Sequence, residues 1–233
     1  MTSAPTAVFF HRETLVGSAG PVELGFTDRT LDLHLERPGF DAELGRLEAA
    51  CGVRLAVAEQ VHGRDVVVVG EQGGAPPRAD ALIATGRGVG LVTRVADCVP
   101  VLLVAPEAGV VAAVHSGRPG TVLDVVTATV DRMRTLGAGD DLAAWVGPSV
   151  CAGCYEVPEE LRAEVDAAVP GTGAETTWGT PSVDVTGGVQ RQLAAAGVPA
   201  RVVEGCTVED ERLHSYRRDG ADAGRAAGVV WLP

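Results

Sequence analysis

Six short valine-rich runs constrain this chain more than any other feature: Leu55 to Ala58, Val66 to Val69, Ala81 to Ala84, Val89 to Val95, Val101 to Val104 and Val110 to Val114. Each is too brief for a helix and is closed off by glycine, proline or charge. Branched side chains suit a pleated surface, and runs that are apolar at nearly every position belong to strands covered on both faces. Helical spacing of apolar residues occurs at Asp41 to Ala50, Thr121 to Leu136, Pro158 to Ala168 and Thr186 to Ala196, each opened by a capping residue or proline. In the second of these, Thr121 followed by Asp124 reads as a capping-box opening. Strands gathered early and helices interspersed later predict an α+β fold of mixed sheets rather than a strict βαβ series. Gly70 to Pro77 reads as a surface loop, and no repeat or long linker divides the 233 residues, so residues 1–233 are expected to form one domain.

The net charge of -12 argues against nucleic acid as a partner, because neutralising phosphates requires grooves or stripes of basic residues, and it argues equally against anionic lipid. There is no lysine, so every basic side chain is arginine. Arg217, Arg218 and Arg225 bracket the turn signal Asp219-Gly220, a grouping that suits either a small anion pocket or a solvated charged turn. Residues Met1 to Thr6 lack the basic and apolar segments of a secretory leader, and no apolar run reaches membrane-spanning length. The expected location is the cytoplasm. Five cysteines without a framework spacing fit reduced thiols.

Three segments each place one metal-ligand type where an apolar run meets a turn: Gln60-Val61-His62-Gly63, Ala96-Asp97-Cys98-Val99-Pro100 and His115-Ser116-Gly117-Arg118-Pro119-Gly120. Catalytic zinc sites use three protein ligands and leave a fourth position open, so His62, Cys98 and His115 together read as such a site. The competing reading makes Cys98 a small buried hydrophobe and the histidines unrelated loop residues. Asp97 suits a carboxylate supporting a ligand, a general base or a turn carboxylate. The helix expected from Thr121 would start close enough to His115 for its N–H groups to meet an anion.

Cys151-Ala152-Gly153-Cys154 is a CxxC, but Cys51 and Cys206 supply no second pair at matching spacing, and Tyr155 to Pro158 intervene before the next helix. Loop packing is the expected role, with a redox pair as the rival. No GxGxxG opens a helix, and neither GxxxxGK[ST] nor GxSxG occurs. Ser116 as a hydrolase nucleophile is disfavoured, because adjacent side chains on an extended segment point apart.

Gln60 to Gly63, Ala96 to Leu102, the His115 turn, Gly147-Pro148-Ser149-Val150 through Tyr155-Glu156-Val157, and Ser215-Tyr216-Arg217-Arg218-Asp219-Gly220 with Gly224-Arg225 occur in order. Together they resemble the YfiH family, also called the polyphenol oxidase or peptidoglycan-editing-factor family, over roughly residues 20 to 232. The resemblance implies mixed sheets between helices in α/β/β/α layers and a Zn2+ held by His62, Cys98 and His115. It implies purine nucleoside phosphorylase activity with a purine nucleoside and phosphate as small-molecule partners, and adenosine deamination beside it. Cys98, Asp97 and Arg118 are then the expected catalytic residues, and Gln60, Tyr155, Arg217, Arg218 and Arg225 the expected substrate-binding ones.

Two departures from the family pattern stand out. The usual turn is His-Ala-Gly-Trp-Arg-Gly, whereas here Arg118 takes the tryptophan position and Pro119 the arginine position. The early threonine-arginine-glycine-glycine loop and its Ser-Leu-Asn-Leu run are shortened to Gly25 to Leu33. An amidase acting on peptidoglycan precursors, or a non-catalytic binding module, are the alternatives these departures admit. A multicopper oxidase is not, because its copper centres consume more histidines than the five present.

Overall fold

The computed structural model describes residues 8–70 and 75–233; the leader reading at residues 1–6 and residues 71–74 of the Gly70 to Pro77 loop lie outside the described residues. In chain order the strands are β1 (Phe9–Gly17), β2 (Gly20–Thr27), β3 (Arg54–Ala56), β4 (Val66–Val68), β5 (Ala81–Ala84), β6 (Val89–Val95), β7 (Val99–Ala105), β8 (Val110–Ser116), β9 (Ala143–Val146), β10 (Gly173–Glu175), β11 (Pro181–Val183), β12 (Ala200–Val202) and β13 (Ala226–Trp231). The helices are α1 (Phe40–Cys51), α2 (Arg118–Val122), α3 (Val125–Thr135), α4 (Glu159–Ala168), α5 (Val185–Ala195) and α6 (Tyr216–Asp219). Among the described residues no helix is long and apolar enough to cross a membrane.

All six valine-rich runs are strands. They divide between two mixed sheets, one ordered β1-β2-β13-β6-β3 and the other β12-β9-β7-β8-β5-β4, with β10 and β11 forming a separate pair. Strands β5, β7 and β8 are buried at every residue. That follows from the layering. Alternate residues of β7 and β8 face opposite ways: Leu102, Val104, Val111 and Ala113 meet Leu24, Phe26, Leu91 and Val230 of the other sheet. Leu103 and Ala112 instead meet Val126, Val130 and Met133 of α3 and Val189 and Leu193 of α5. Outside the first sheet, Leu47 of α1 packs with Val92, Val229 and Trp231. The expected α/β/β/α layering is therefore observed. Each fully buried leucine or valine stabilises this stack by about 1.5–3 kcal/mol relative to an exposed one.

The helix expected over Thr121 to Leu136 is two helices. Asp124 takes a left-handed conformation, φ 58°, and its carboxylate accepts the Thr127 N–H at 3.2 Å, capping α3. A short side-chain bond to the backbone competes with helix continuation at this point and wins. Thr121, expected to cap, is instead buried inside α2, where its hydroxyl donates to the Gly117 carbonyl and meets Ser116 Oγ at 2.8 Å. Ser116 is thereby fixed in the interior.

Candidate metal centre

Each expected metal ligand lies where the chain leaves a sheet. His62 is on the connection from β3 in one sheet to β4 in the other, and Cys98 is in the three-residue turn from β6 to β7, which again crosses between sheets. His115 is the penultimate residue of β8, opposite Pro100 in the register, so Gly117 just past the strand falls beside Cys98. The ligating atoms of His62, Cys98 and His115 lie within 4.8 Å of one another. Cys98 Sγ is 3.7 Å from His62 Nε2, and the two imidazoles meet edge-on with centroids 4.7 Å apart. His115 is buried, Cys98 half-buried and His62 exposed, so the cluster opens to solvent on one side.

Crossing the gap between sheets this tightly demands unusual backbone. Among the described residues only three non-glycine residues have positive φ, and two are His62 (59°) and Asp97 (86°). Such conformations cost about 1–3 kcal/mol each and persist where surrounding structure holds them. Gly117 is required for a different reason. A Cβ there would stand 2.8 Å from His62 Cδ2 and 2.9 Å from Cys98 Sγ, so the absence of a side chain makes the cradle for the three donors.

The residue that sequence reasoning missed is Asp80, immediately before β5. Its carboxylate is fully buried and accepts His115 Nδ1–H at 2.8 Å, together with the backbone N–H groups of Val61, His62 and Gly63 at 3.2, 2.9 and 2.7 Å. One side chain therefore orients the His115 ring, turning Nε2 toward the other two candidate donors, and also shapes the turn that carries His62. Its only sequence signal is a lone carboxylate at the head of an otherwise apolar strand. Burial pushes Asp80 up, yet the His115 hydrogen bond and the backbone N–H donors overrule burial and hold it below the ordinary carboxylate range. Burial also pushes the Cys98 thiol up, but the His115 charge and hydrogen bonds from both histidines bring it down to about 6. His115 is pulled down by burial and carried up to about 9 by Cys98 and Asp80. Both shifts share one cause, the contact of Cys98 with His115, which favours the thiolate form of the cysteine.

The remaining expected residues divide. Arg118, at the start of α2, follows Gly117 and makes no hydrogen bond or ion pair among the described residues. Arg217 is exposed, with its guanidinium 5.0 Å from the Tyr155 ring, and it lines a groove of about 420 Å³ with Glu156, Val157, Pro158, Glu159, Thr180 and Pro181. Asp97 has both oxygens engaged, accepting the Thr207 hydroxyl and the Arg217 N–H, each at 2.6 Å. Gln60 pairs its side-chain amide with the backbone of Arg94 in both directions at 2.8 Å. Arg218 bonds Asp219 and the carbonyls of Thr207 and Leu213, and Arg225 bonds the carbonyls of Ala223 and Gly224. These last three groups therefore hold walls rather than point into the opening.

Residues 40–233 match the profile of a family described as multi-copper polyphenol oxidoreductase laccase. The chain belongs to that family, the YfiH family. It is 56% identical to a Streptomyces griseus protein named purine nucleoside phosphorylase over 178 residues, covering 74% of this chain and 72% of that one. A Deinococcus radiodurans protein of the same name is 38% identical over 221 residues, covering 93% and 85%. Among solved structures, a Neisseria meningitidis protein superposes with a TM-score of 0.84 at 26% identity over 95% of this chain and 98% of its own. YlmD from Geobacillus stearothermophilus gives 0.81 at 28% identity over 90% and 91%. The several copper centres in the family's description would need more histidines than gather here: of the five, only His62 and His115 share a ligand cluster among the described residues.

Proposed function

We propose that this YfiH-family chain is a cytoplasmic, zinc-dependent purine nucleoside phosphorylase taking adenosine, inosine, guanosine or methylthioadenosine with inorganic phosphate. The observation that carries the reading is the open His62–Cys98–His115 cluster in a chain 56% identical to a protein named for that activity. Two imidazoles and a thiolate favour zinc over magnesium or calcium, which prefer oxygen donors. A bound Zn2+ would supply a Lewis acid at the solvent-facing side.

Phosphorolysis joins a phosphate oxygen to ribose C1′ while the bond from C1′ to the purine nitrogen breaks. The electron pair leaves with the base, which takes up a proton. The chain must therefore hold an anion, position the sugar and seat a flat base, work that is chiefly orientation and charge. Among the described residues no carboxylate pairs with the Arg118 guanidinium, which suits it to phosphate. Tyr155 with Arg217 presents an aromatic face and a cation beside the groove, suited to purine stacking. Asp97 joins the Cys98 turn to the start of α6, so it acts as a positioning residue. Asp80 holds His115 in one orientation throughout.

Incubating the purified protein with inosine and phosphate is expected to yield hypoxanthine and ribose 1-phosphate. A zinc-loaded preparation that releases neither the free purine base nor the corresponding sugar 1-phosphate from any of the four nucleosides overturns the reading. The same open ligand set favours a second activity, adenosine deamination, which would release ammonia and inosine without phosphate. Arg118 in place of the usual tryptophan is what favours the amidase alternative, and UDP-muramoyl peptides in the same assay distinguish it.

A further inference from the structure

Cys151 and Cys154 lie on the loop after β9, and Cys206 and Glu209 on the loop after β12, more than fifty residues further on. Their four ligating atoms come within 4.8 Å of one another. The two loops repeat one local geometry. The Cys151 carbonyl accepts the N–H groups of Cys154 and Tyr155, both at 3.0 Å, and the Cys206 carbonyl accepts those of Glu209 and Asp210 at 3.2 and 2.9 Å. Each turn thereby presents side chains at the first and fourth positions of a C-x-x-C or C-x-x-E segment to the same point. The turns are tied together: Ser149 N–H donates to the Gly205 carbonyl, Thr207 N–H to the Ser149 carbonyl, and Cys151 N–H to Cys206 Sγ at 3.5 Å. Cys154 Sγ and Glu209 Oε1 are 3.4 Å apart.

We propose that Cys151, Cys154, Cys206 and Glu209 form a second, structural zinc site, distinct from the His62–Cys98–His115 centre. Tetrahedral zinc at about 2.3 Å from sulfur and 2.0–2.2 Å from oxygen places neighbouring donors about 3.5–3.8 Å apart, which these side chains reach with small rotamer adjustments. Four donors close the coordination shell, and three soft sulfurs select zinc over the hard cations. The N–H donated to Cys206 Sγ suits a sulfur carrying negative charge.

A dithiol redox pair explains less. Reactive CxxC thiols are lowered by a helix N-terminus, whereas here α4 begins only at Glu159. A third sulfur and a carboxylate also have no part in a two-thiol couple. The consequence for the first centre is mechanical. Val150 N–H donates to the Asp97 carbonyl at 3.0 Å and the Thr207 hydroxyl to the Asp97 carboxylate, so both zinc-bearing loops grip the residue next to Cys98.

The test is zinc stoichiometry of the full-length, reduced chain titrated with Zn2+ alone. Two equivalents are expected for the unaltered protein, one for His62→Ala/His115→Ala, and one for Cys151→Ser/Cys154→Ser. Cobalt substituted into the histidine variant should show intense thiolate-to-metal charge transfer, which the double cysteine variant should largely lose. If the cysteine variant does not fold, Glu209→Gln serves, because that side chain is at the surface; it should weaken the histidine-independent zinc by tenfold or more. A single equivalent in the unaltered protein that His62→Ala/His115→Ala loses, two equivalents held unchanged by Glu209→Gln and Cys206→Ser, or anaerobically purified protein two hydrogens lighter from a disulfide within this cluster, would each overturn the proposal.

Discussion

The donors at His62, Cys98 and His115 come one apiece from three places where the chain leaves a sheet, whereas those at Cys151, Cys154, Cys206 and Glu209 come two apiece from paired turns. The paired turns orient their own side chains through bonds to the first residue's carbonyl. The strand-end donors cannot do so, and the fold provides outside support instead: the buried Asp80 carboxylate, the bare Cα of Gly117, and left-handed backbone at His62 and Asp97. Unusual conformation is concentrated at the cluster that stays open to solvent. A closed site needs only local geometry, whereas an open one must be held rigid from behind.

The largest effect that sharpens this contrast is expected from Cys98→Ala. Nucleoside phosphorolysis should fall by about a hundred- to a thousandfold, on the order seen when an essential electrostatic group is removed. Zinc should drop by one equivalent while the cysteine-rich cluster keeps its own, measured by elemental analysis beside the activity assay. Asp80→Asn comes next. Loss of the carboxylate behind a metal-bound histidine should weaken metal binding or activity by about 10–100-fold. Leaving His115 and the Val61 to Gly63 N–H groups without it should also destabilise the fold by about 3–5 kcal/mol in denaturant titration. Equal losses from Asp97→Asn and Asp80→Asn would break the distinction between a ligand's support and a wall.

Thiol chemistry separates the two clusters again. In chelator-treated protein, Cys98 is thiolate above about pH 6, so its alkylation by iodoacetamide should rise through that pH and then level off. Cys151 and Cys154, pushed above the ordinary thiol value, should stay protonated and react at least about tenfold more slowly at pH 7. Peptide mapping of the labelled chain reads this directly, and faster labelling of Cys151 would reverse the comparison. The smallest effect is expected from Gly117→Ala, where a Cβ would stand 2.8 Å from His62 Cδ2 and 2.9 Å from Cys98 Sγ, so that these side chains must shift. About a tenfold loss of activity with unchanged cysteine-cluster zinc is the expected outcome.

What the sequence disclosed follows the physics of burial. Strands β5 to β8 were legible because both faces are covered, which leaves continuous apolar runs. Strand β1 was not, because its outer half alternates exposure and carries His11, Arg12 and Glu13; β2 and β13 are interrupted by Pro21, Glu23, Gly25 and Gly228. The clustering of His62, Cys98 and His115 was legible from their shared contexts at turns, and motif resemblance reinforced it. Asp80 was hidden because its importance arises from register: Ala81 pairs with Val114, which brings the preceding carboxylate to His115. Cys206 and Glu209 were hidden because the pairing of distant loops leaves no periodic trace, and because the fourth donor is a carboxylate rather than another cysteine. Asp124 shows the reverse error, a residue read as helping one helix that ends it and starts another.

Arg217 is pinned at its root and loose at its tip: Asp97 clasps its amide nitrogen, and its guanidinium reaches out over Tyr155 toward open water. A side chain mounted in this way is a replaceable arm on a fixed pivot. On the proposed reading, exchanging it would retune which ring systems the groove admits while Cys98 and the two imidazoles keep their footing, so a change of diet for this fold would require no renovation of the metal centre.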